Sequence, residues 1–425
     1  MSWGFAHHDP LSVDAVVDDG TVQADIHSGV QPTVPAADSG SPRTPKPRLS
    51  ALLERDNSFG FVRLSLALLV IVSHSYPLGG FGVEPLTTFS DNQVTLGTLA
   101  VCGFFAISGF LVTASARSND LLQYAWKRAL RLVPAYWFVL AVTVLVIAPL
   151  VYVAGTSRLS GYWSLDPSPW GYFWHNANLN VTQWGIGRLL VDTPYGEATN
   201  ASVFNGSIWT LIYEVRCYLV IGVLSLIGVL TSWARFVVPL IAVALGVLCI
   251  QTVPWPTDWF VDLGLMKDDW TIRFGLIFAL GASMVLFANW IPVTLWLAIP
   301  AAVLALATLH YGHFYPYGCL GFTYSILWLC AALPSQFRLI GRKHDISYGV
   351  YLYGFPVQQV LAEFGLERFG IVPYAVVAMF IACLFGALSW ILMESPALSL
   401  KSRGPGRGFG FLLARLHLRS KVEPT

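Results

Sequence analysis

The sequence predicts an all-α, polytopic transmembrane helix bundle of about ten spans, with both termini in the cytoplasm. Two compositional observations predict this fold class: 55% of the residues are hydrophobic, and 12% are charged, about half of the charged fraction of a soluble domain. Most of the chain is therefore expected to contact membrane lipids. The net charge of +1, without a long basic stripe, argues against nucleic acid as a partner.

A membrane span needs about 20 mostly apolar residues. On this rule ten segments are predicted to cross the membrane: 59–78, 97–115, 133–154, 207–230, 236–253, 271–289, 291–309, 316–334, 346–364 and 371–393. Basic residues gather before the first span and between the second and third, so the positive-inside rule places these loops and both termini in the cytoplasm.

The spans divide the chain into three parts. Residues 1–57, rich in Ser, Pro, Asp and Gly, are predicted to be a disordered cytoplasmic tail; residues 58–398 form the transmembrane domain; and residues 399–425 form a basic cytoplasmic tail. No apolar run follows a basic start, so the first span is expected to be a true membrane helix and no signal peptide. The longest outer connection, 155–206, is rich in Trp and Tyr, which suits either a lid over a site or an interfacial aromatic belt.

Ionisable side chains inside a span are costly and mark candidate functional positions. Arg63 and His74 in the first span lie eleven residues apart, which brings them to within about 20° of one helix face. His74 and Glu214 of the fourth span are both expected in the outer half of the membrane, where they could meet. A neutral imidazole can take a proton from a hydroxyl, and a carboxylate can orient it. The alternatives are a packed histidine for His74 and an ion pair with Arg273 for Glu214.

Arg128 and Arg131 share a helix face at the cytoplasmic mouth, just before Pro134, which is expected to start the next span. Paired guanidinium groups suit phosphate binding, although basic residues at this place also serve as ordinary topology signals. In the aromatic run 104–111, Ser108 and Gly109 allow close backbone approach or a local break. The six cysteines lack metal-ligand spacing and are interpreted as packing residues, and no metal site is predicted.

The order of these motifs resembles the acyltransferase-3 family of bacterial integral-membrane O-acyltransferases. The resemblance covers about residues 57–398. The match consists of six segments: Arg63 to His74, G-F-F-A-I-S-G-F-L, R-x-x-R at Arg128 and Arg131, W-T-L-I-Y-E ending at Glu214, I-S-Y-G-V-Y-L-Y-G-F-P, and E-S-P at Glu394 to Pro396.

The resemblance implies a ten-helix domain in the bacterial plasma membrane that moves an acyl group from acyl-coenzyme A to a glycan or lipid-linked sugar. By that likeness His74 is the catalytic base, and Arg128 and Arg131, with Arg63, belong to the acyl-CoA site. Acyl-CoA is then the donor substrate, and no tightly bound cofactor is expected. Two departures stand out: Gly354 occupies a position where the family often has His, and no long soluble domain follows the last span.

The ionisable residues and the family resemblance together predict direct transfer as the mechanism. In this mechanism His74 deprotonates an acceptor hydroxyl, and a nearby hydrogen-bond donor stabilises the oxyanion. The candidate contacts to the oxyanion or acceptor are Tyr213, Tyr218, Ser108, Tyr348 and Tyr351. An acyl-enzyme through Ser73, Ser75 or Ser108 is the covalent alternative. A transporter or flippase, in which the intramembrane His, Glu and Arg relay protons, is the rival class. The sequence indicates no oligomeric state.

Overall fold

A computed structural model describes residues 47–54, 56–250 and 269–402, and these residues form a helical bundle without a β-strand in the described ranges. The predicted all-α fold class is confirmed. Most of the two predicted tails, residues 1–46 and 403–425, lies outside the described residues, as does the connection 251–268.

Ten principal helices occur in the described residues, one at each position where the sequence predicts a span. In chain order they are α1 (Phe59–Leu78), α2 (Leu96–Ser118), α3 (Leu121–Thr156), α4 (Ile208–Leu226), α5 (Trp233–Ile250), α6 (Asp269–Leu286), α7 (Leu295–Tyr311), α8 (Cys319–Ala332), α9 (Ser347–Glu363) and α10 (Ile371–Ser402).

By length and composition, seven of these described helices can cross a membrane: α1 to α6 and α10. The other three are shorter, with 17 residues in α7, 14 in α8 and 17 in α9. A π-helical turn, Phe314–Gly318, lengthens α8 at its start. The helices therefore follow the predicted order, with seven that meet the length of a span.

α2 lies at the centre of the bundle, and two-thirds (67%) of its most apolar window is buried. It crosses α6 at two glycines. A Cβ added at Gly109 would lie 2.1 Å from the carbonyl oxygen of Phe278, and one added at Gly281 would lie 2.2 Å from that of Ala106. Small residues allow two helix backbones to approach this closely. The predicted close approach at Gly109 is confirmed, and α2 continues through this residue without a break.

α3 begins earlier than the sequence predicts. Its first residue is Leu121, because the Asp120 side chain caps the helix by accepting a hydrogen bond from the Gln123 amide at 2.9 Å. Pro134 lies inside the helix and therefore does not start it. A helix of 36 residues is about 54 Å long, well beyond the roughly 30 Å of a bilayer core. The part of α3 that carries Arg128 and Arg131 is therefore expected to project beyond the apolar part that crosses the membrane.

The last residues of the predicted N-terminal tail belong to the bundle. The segment Leu49–Leu53 forms a short 3-10 helix, in which Leu49 and Leu52 are buried. The Leu49 amide donates to the Ile291 carbonyl at 3.0 Å, and the Pro47 carbonyl accepts from Val293 at 2.8 Å. Two leucines three residues apart give this segment an apolar face, which overrides its polar surroundings in the sequence. Its assignment to a disordered tail is corrected.

The connection 157–206, which is predicted to lie on the outer side, folds back onto the bundle. Its buried Tyr162 donates to the Val144 carbonyl at 2.6 Å, and Asn205 near its end donates to the Leu352 carbonyl of α9 at 2.9 Å. Four of its tryptophans remain exposed, which suits an interfacial belt: Trp163, Trp170, Trp174 and Trp184. The last part of the connection, next to α9, instead covers the bundle.

Candidate active site

A cavity of about 480 Å³ lies between α1, α2, α3, α4 and α9. One end is strongly basic; we call it the basic mouth, formed by Arg63, Lys127, Arg128, Arg131, Arg342, Lys343 and Lys401, with Asp345 among them. The inner part is apolar and hydroxyl-rich, lined by Val101, Phe104, Ile107, Ser108, Thr210, Glu214, Tyr218, Tyr348 and Tyr351 among others. The cavity therefore joins a cationic entrance to a mostly apolar, hydroxyl-lined passage that holds one carboxylate, Glu214.

The carboxylate of Glu214 lies in the inner part of the cavity. It accepts a hydrogen bond from Ser108 of α2 at 2.9 Å and a second from Tyr218, one turn along α4. Neither Arg216 nor Arg273 forms an ion pair with it in the described part of the chain; Arg216 donates to Thr271 at 2.7 Å, and Arg273 lies 3.9 Å from Asp269. The predicted alternative, an ion pair between Glu214 and Arg273, is therefore wrong.

His74 lies outside the residues that line the cavity. Its ring meets the edge of the Phe355 ring, with 5.3 Å between the centroids. Its Nδ1 is buried and has no hydrogen-bond partner among the described residues, although the residue as a whole is only half-buried. Tyr351, which lines the cavity, lies four residues before Phe355 on α9. His74 is thus placed about one helical turn beyond the inner end of the cavity, and no hydrogen bond joins it to Glu214 in the described ranges.

The hydroxyl groups of the cavity already have partners. Tyr351 bonds to the Ser207 carbonyl at 2.5 Å and to Thr210 at 2.6 Å, and Tyr348 donates to the Leu132 carbonyl at 3.1 Å. Ser108, Tyr218, Tyr348 and Tyr351 all line the cavity, as candidates for oxyanion contacts should. Tyr213 does not line it, because it packs instead against the aromatic rings of Trp209 and Phe274.

The two serines beside His74 face away from its ring. Ser73 donates to the buried carboxylate of Glu84, and Ser75 donates to the Ile71 carbonyl at 2.9 Å. Neither has a hydrogen bond to an imidazole in the part of the chain that the structure describes. Of the three serines considered for a covalent route, only Ser108 lines the cavity.

The basic mouth contains an ion-pair network that sequence reasoning missed. Arg63 lies 2.7 Å and Arg131 2.9 Å from the same oxygen of Asp345, and Arg131 also lies 3.3 Å from Glu394. Ser347 adds hydrogen bonds to the other oxygen of Asp345 from its amide and, at 2.5 Å, from its hydroxyl. We call these four charged residues the Asp345 network. It joins α1, α3, α10 and the segment before α9.

Glu394 enters the network because α10 contains a π-helical turn at Trp390–Glu394. Such turns often occur at functional positions. The side chain of Glu394 is 2% exposed, against 14% for Arg131 and 17% for Asp345. Burial alone would raise the pKa of Asp345, but the charges of Arg63 and Arg131 and the hydrogen bonds from Ser347 outweigh it and lower the pKa to about 2. Asp345 is therefore ionised at neutral pH.

Gly354, where the family often has His, is required by packing. A Cβ added there would lie 2.7 Å from Cγ1 of Ile71 on α1. One turn further, Gln358 reaches α1 instead and donates to the Ile71 carbonyl and to Ser75, both at 2.9 Å. A polar contact between α9 and the outer part of α1 is thus retained without an imidazole.

An acyltransferase domain family model, that of the acyltransferase-3 family, matches residues 56–394. An O-acetyl transferase of Shigella phage Sf6 is 29% identical over 363 residues, which cover 82% of this chain and 100% of the relative. Nodulation protein 10 of Rhizobium leguminosarum bv. viciae is 27% identical over 371 residues, covering 81% of this chain and 94% of the relative. No solved structure matches significantly. Because the family model spans most of the chain, including every residue that lines the cavity except Leu398 and Lys401, the protein belongs to the acyltransferase-3 family of membrane acyltransferases.

Proposed function

We propose that this protein is a membrane O-acyltransferase that moves an acyl group, acetyl or succinyl-like, from cytoplasmic acyl-CoA to a hydroxyl of a cell-envelope polysaccharide or lipid-linked glycan. The observation that carries the proposal is the cavity, in which a cationic entrance leads into a mostly apolar passage whose one carboxylate, Glu214, is held by Ser108 and Tyr218. This arrangement matches the chemistry of coenzyme A, which has a polyanionic nucleotide at one end and a thin, uncharged pantetheine arm at the other. The acetyl group named for the phage relative supports an acyl donor of this kind.

The donor would enter from the basic mouth. Guanidinium and ammonium groups attract phosphates, and positive loops lie on the cytoplasmic side, where acyl-CoA is made. The bacterial plasma membrane is the proposed location, because the basic mouth would there face the cytoplasm and its acyl-CoA. The pantetheine arm would then run along the inner part of the cavity toward Ser108 and Tyr351.

His74 is proposed as the general base, with the acceptor approaching from the opposite side of the membrane. The neutral imidazole takes the proton of an acceptor hydroxyl as its oxygen attacks the thioester carbonyl; the carbon–sulfur bond breaks, and coenzyme A leaves as the thiol. The half-buried position of His74 and its Nδ1 support this role, because no group among the described residues forms a hydrogen bond with that nitrogen. Tyr351 and Tyr218 are the proposed oxyanion donors, and Glu214 the carboxylate that orients groups in the cavity.

Transfer assays with purified protein test this function. The protein in lipid vesicles is given acetyl-CoA or succinyl-CoA and an envelope glycan fraction, and acylated products are measured by mass spectrometry. We expect acyl transfer with release of free coenzyme A thiol. A protein that moves glycan across the vesicle membrane but consumes no thioester would instead be a transporter or flippase, and the proposal would fall.

A further inference from the structure

Residues 341–345 form a wall between two cavities. A second cavity, of about 470 Å³, lies on the other side of this segment. It is bounded by Asn57, Phe59, Gly60 and Ile340, and it shares five lining residues with the first cavity: Arg63, Gly341, Arg342, Lys343 and Asp345. A molecule that enters the basic mouth therefore passes this segment with space on both sides.

The segment is held at both ends. At its start, Gly341 has a φ of +74° and lies against Gly60 of α1, where an added Cβ would be 2.6 Å from the Gly341 Cα. A side chain at either position would meet backbone. At its other end, Asp345 is held by Arg63 and Arg131. Two exposed cations, Arg342 and Lys343, lie between these fixed points.

The charges of the basic mouth divide into two groups. In the Asp345 network two arginines face two carboxylates, so their charges largely cancel. The remaining five cations have no carboxylate within ion-pair distance in the described part of the chain: Lys127, Arg128, Arg342, Lys343 and Lys401. Arg128 also keeps a buried Nε without a hydrogen-bond partner, and its guanidinium lies 5.8 Å from the centre of the Tyr218 ring. Phosphate groups are therefore expected to meet the second group.

Coenzyme A presents two separate phosphate sites, a diphosphate that continues into pantetheine and a 3′-phosphate on the ribose. The diphosphate must lie at the entrance of the passage that receives the pantetheine arm, which is where Arg128 lies. The 3′-phosphate branches from the ribose, away from that passage. Arg342 and Lys343 are the unmatched cations that line both cavities.

Resting on the proposed function, we infer that Arg342 and Lys343 form a subsite for the 3′-phosphate of the donor nucleotide, with the adenosine against the second cavity. Arg63 and Arg131 hold the segment through Asp345 and are positioning residues for this subsite. This assignment gives the cations of the mouth different roles. Arg128 binds the diphosphate, and the Asp345 network holds the segment 341–345, whose Arg342 and Lys343 bind the 3′-phosphate.

The test compares two donors that differ only in this phosphate, acetyl-CoA and 3′-dephospho-acetyl-CoA. For the parent, the KM for acetyl-CoA should be lower than the KM for 3′-dephospho-acetyl-CoA by on the order of tenfold. One charge-assisted contact contributes a difference of this size. In the double variant Arg342→Gln, Lys343→Gln, the two donors should have nearly equal KM values, because the discriminating charges are gone. Arg338→Gln is the matched control: Arg338 lies near the segment, pairs with Asp56 at 2.5 Å and lines neither cavity. It should keep the parental ratio.

The outcomes separate the two proposals. If the parent transfers acetyl from acetyl-CoA but the double variant keeps the full preference for it over the dephospho donor, the subsite is wrong and the proposed function stands. If the parent uses neither of these donors nor succinyl-CoA, the proposed function and the subsite both fail. Equilibrium binding of coenzyme A and 3′-dephospho-coenzyme A to the same variants repeats the comparison without turnover, and unequal affinities that survive the double substitution would also overturn the subsite.

Discussion

Replacing Asp345 with Asn should destabilise the protein by about 2 kcal/mol at neutral pH. The carboxylate has a pKa of about 2 in place of its ordinary 3.8, and this difference corresponds to about 2 kcal/mol of preferential stabilisation of the charged form in the folded state. The side chain is 17% exposed, so solvent screens the pairs with Arg63 and Arg131 only in part. Asn keeps the shape of the side chain but leaves two guanidinium groups facing each other without the shared negative charge.

Thermal unfolding of the detergent-purified protein measures this effect. The Asn variant should melt a few degrees below the parent at pH 7. Because the folded-state pKa of Asp345 is lowered, its contribution is fully present above about pH 4 and is lost as the pH falls through about 2. The gap between parent and variant should therefore stay constant from pH 8 to pH 5 and shrink by roughly half near pH 3.

Asp56→Asn provides the control for this prediction. Asp56 also pairs with an arginine, Arg338, but its side chain is 62% exposed. Exposed ion pairs contribute about 0 to 1 kcal/mol, so this variant should melt close to the parent. If Asp345→Asn melted with the parent at pH 7, or if both Asn variants lost the same stability, the Asp345 network could not be what holds the mouth of the cavity.

Three further predictions concern catalysis, donor binding and packing. His74→Ala should elute and bind acyl-CoA as the parent does, but its transfer rate should fall on the order of 100-fold or more. Near-parental transfer would show that another residue is the general base. Arg128→Lys should raise the KM for acetyl-CoA with parental thermal stability, whereas Arg131→Lys should lower the melting temperature; the same response from both would refute the division of roles. Gly109→Val should reduce the yield of folded protein, since its Cβ would lie 2.1 Å from a backbone oxygen of α6, while Gly155→Val, with nothing within 4 Å, should not.

The sequence predicts the helix positions well because one physical requirement sets them. Every span must supply about 20 apolar residues, and this requirement is visible in the chain without any contact information. The ends are less predictable. α3 starts at Leu121 because Asp120 caps it, and its polar first turns carry no hydropathy signal. The packed segment Leu49–Leu53 was missed since two leucines among polar residues give only a weak pattern.

The sequence predicts which side chains share a helix face in the candidate site, but it does not predict their ion-pair partners. Tyr218 lies four residues after Glu214, so both share a face of α4, whereas Tyr213 precedes Tyr218 by five residues and points about 140° away. This spacing alone could have removed Tyr213 from the candidates. The pairing of Arg63 with Asp345 spans 282 positions of the chain. No local pattern reports such a contact, and for this reason Arg63 and Arg131 read as free phosphate ligands in the sequence.

The position of Tyr351 bears on how direct transfer could take place. Its hydroxyl bonds to Ser207 and Thr210 at the inner end of the cavity, and His74 lies about one turn beyond it. In the proposed reaction the thioester must therefore pass Tyr351 to reach the base. Two hydrogen bonds contribute about 2 kcal/mol net, so opening them reduces the competent population by roughly 30-fold, a small cost beside a catalytic barrier. With the two bonds in place, Tyr351 would stand between the proposed position of the thioester and water on the acceptor side. Tyr351 would thus limit hydrolysis while the acceptor is absent, and the direct route needs no nucleophilic serine to explain the separation of donor and base.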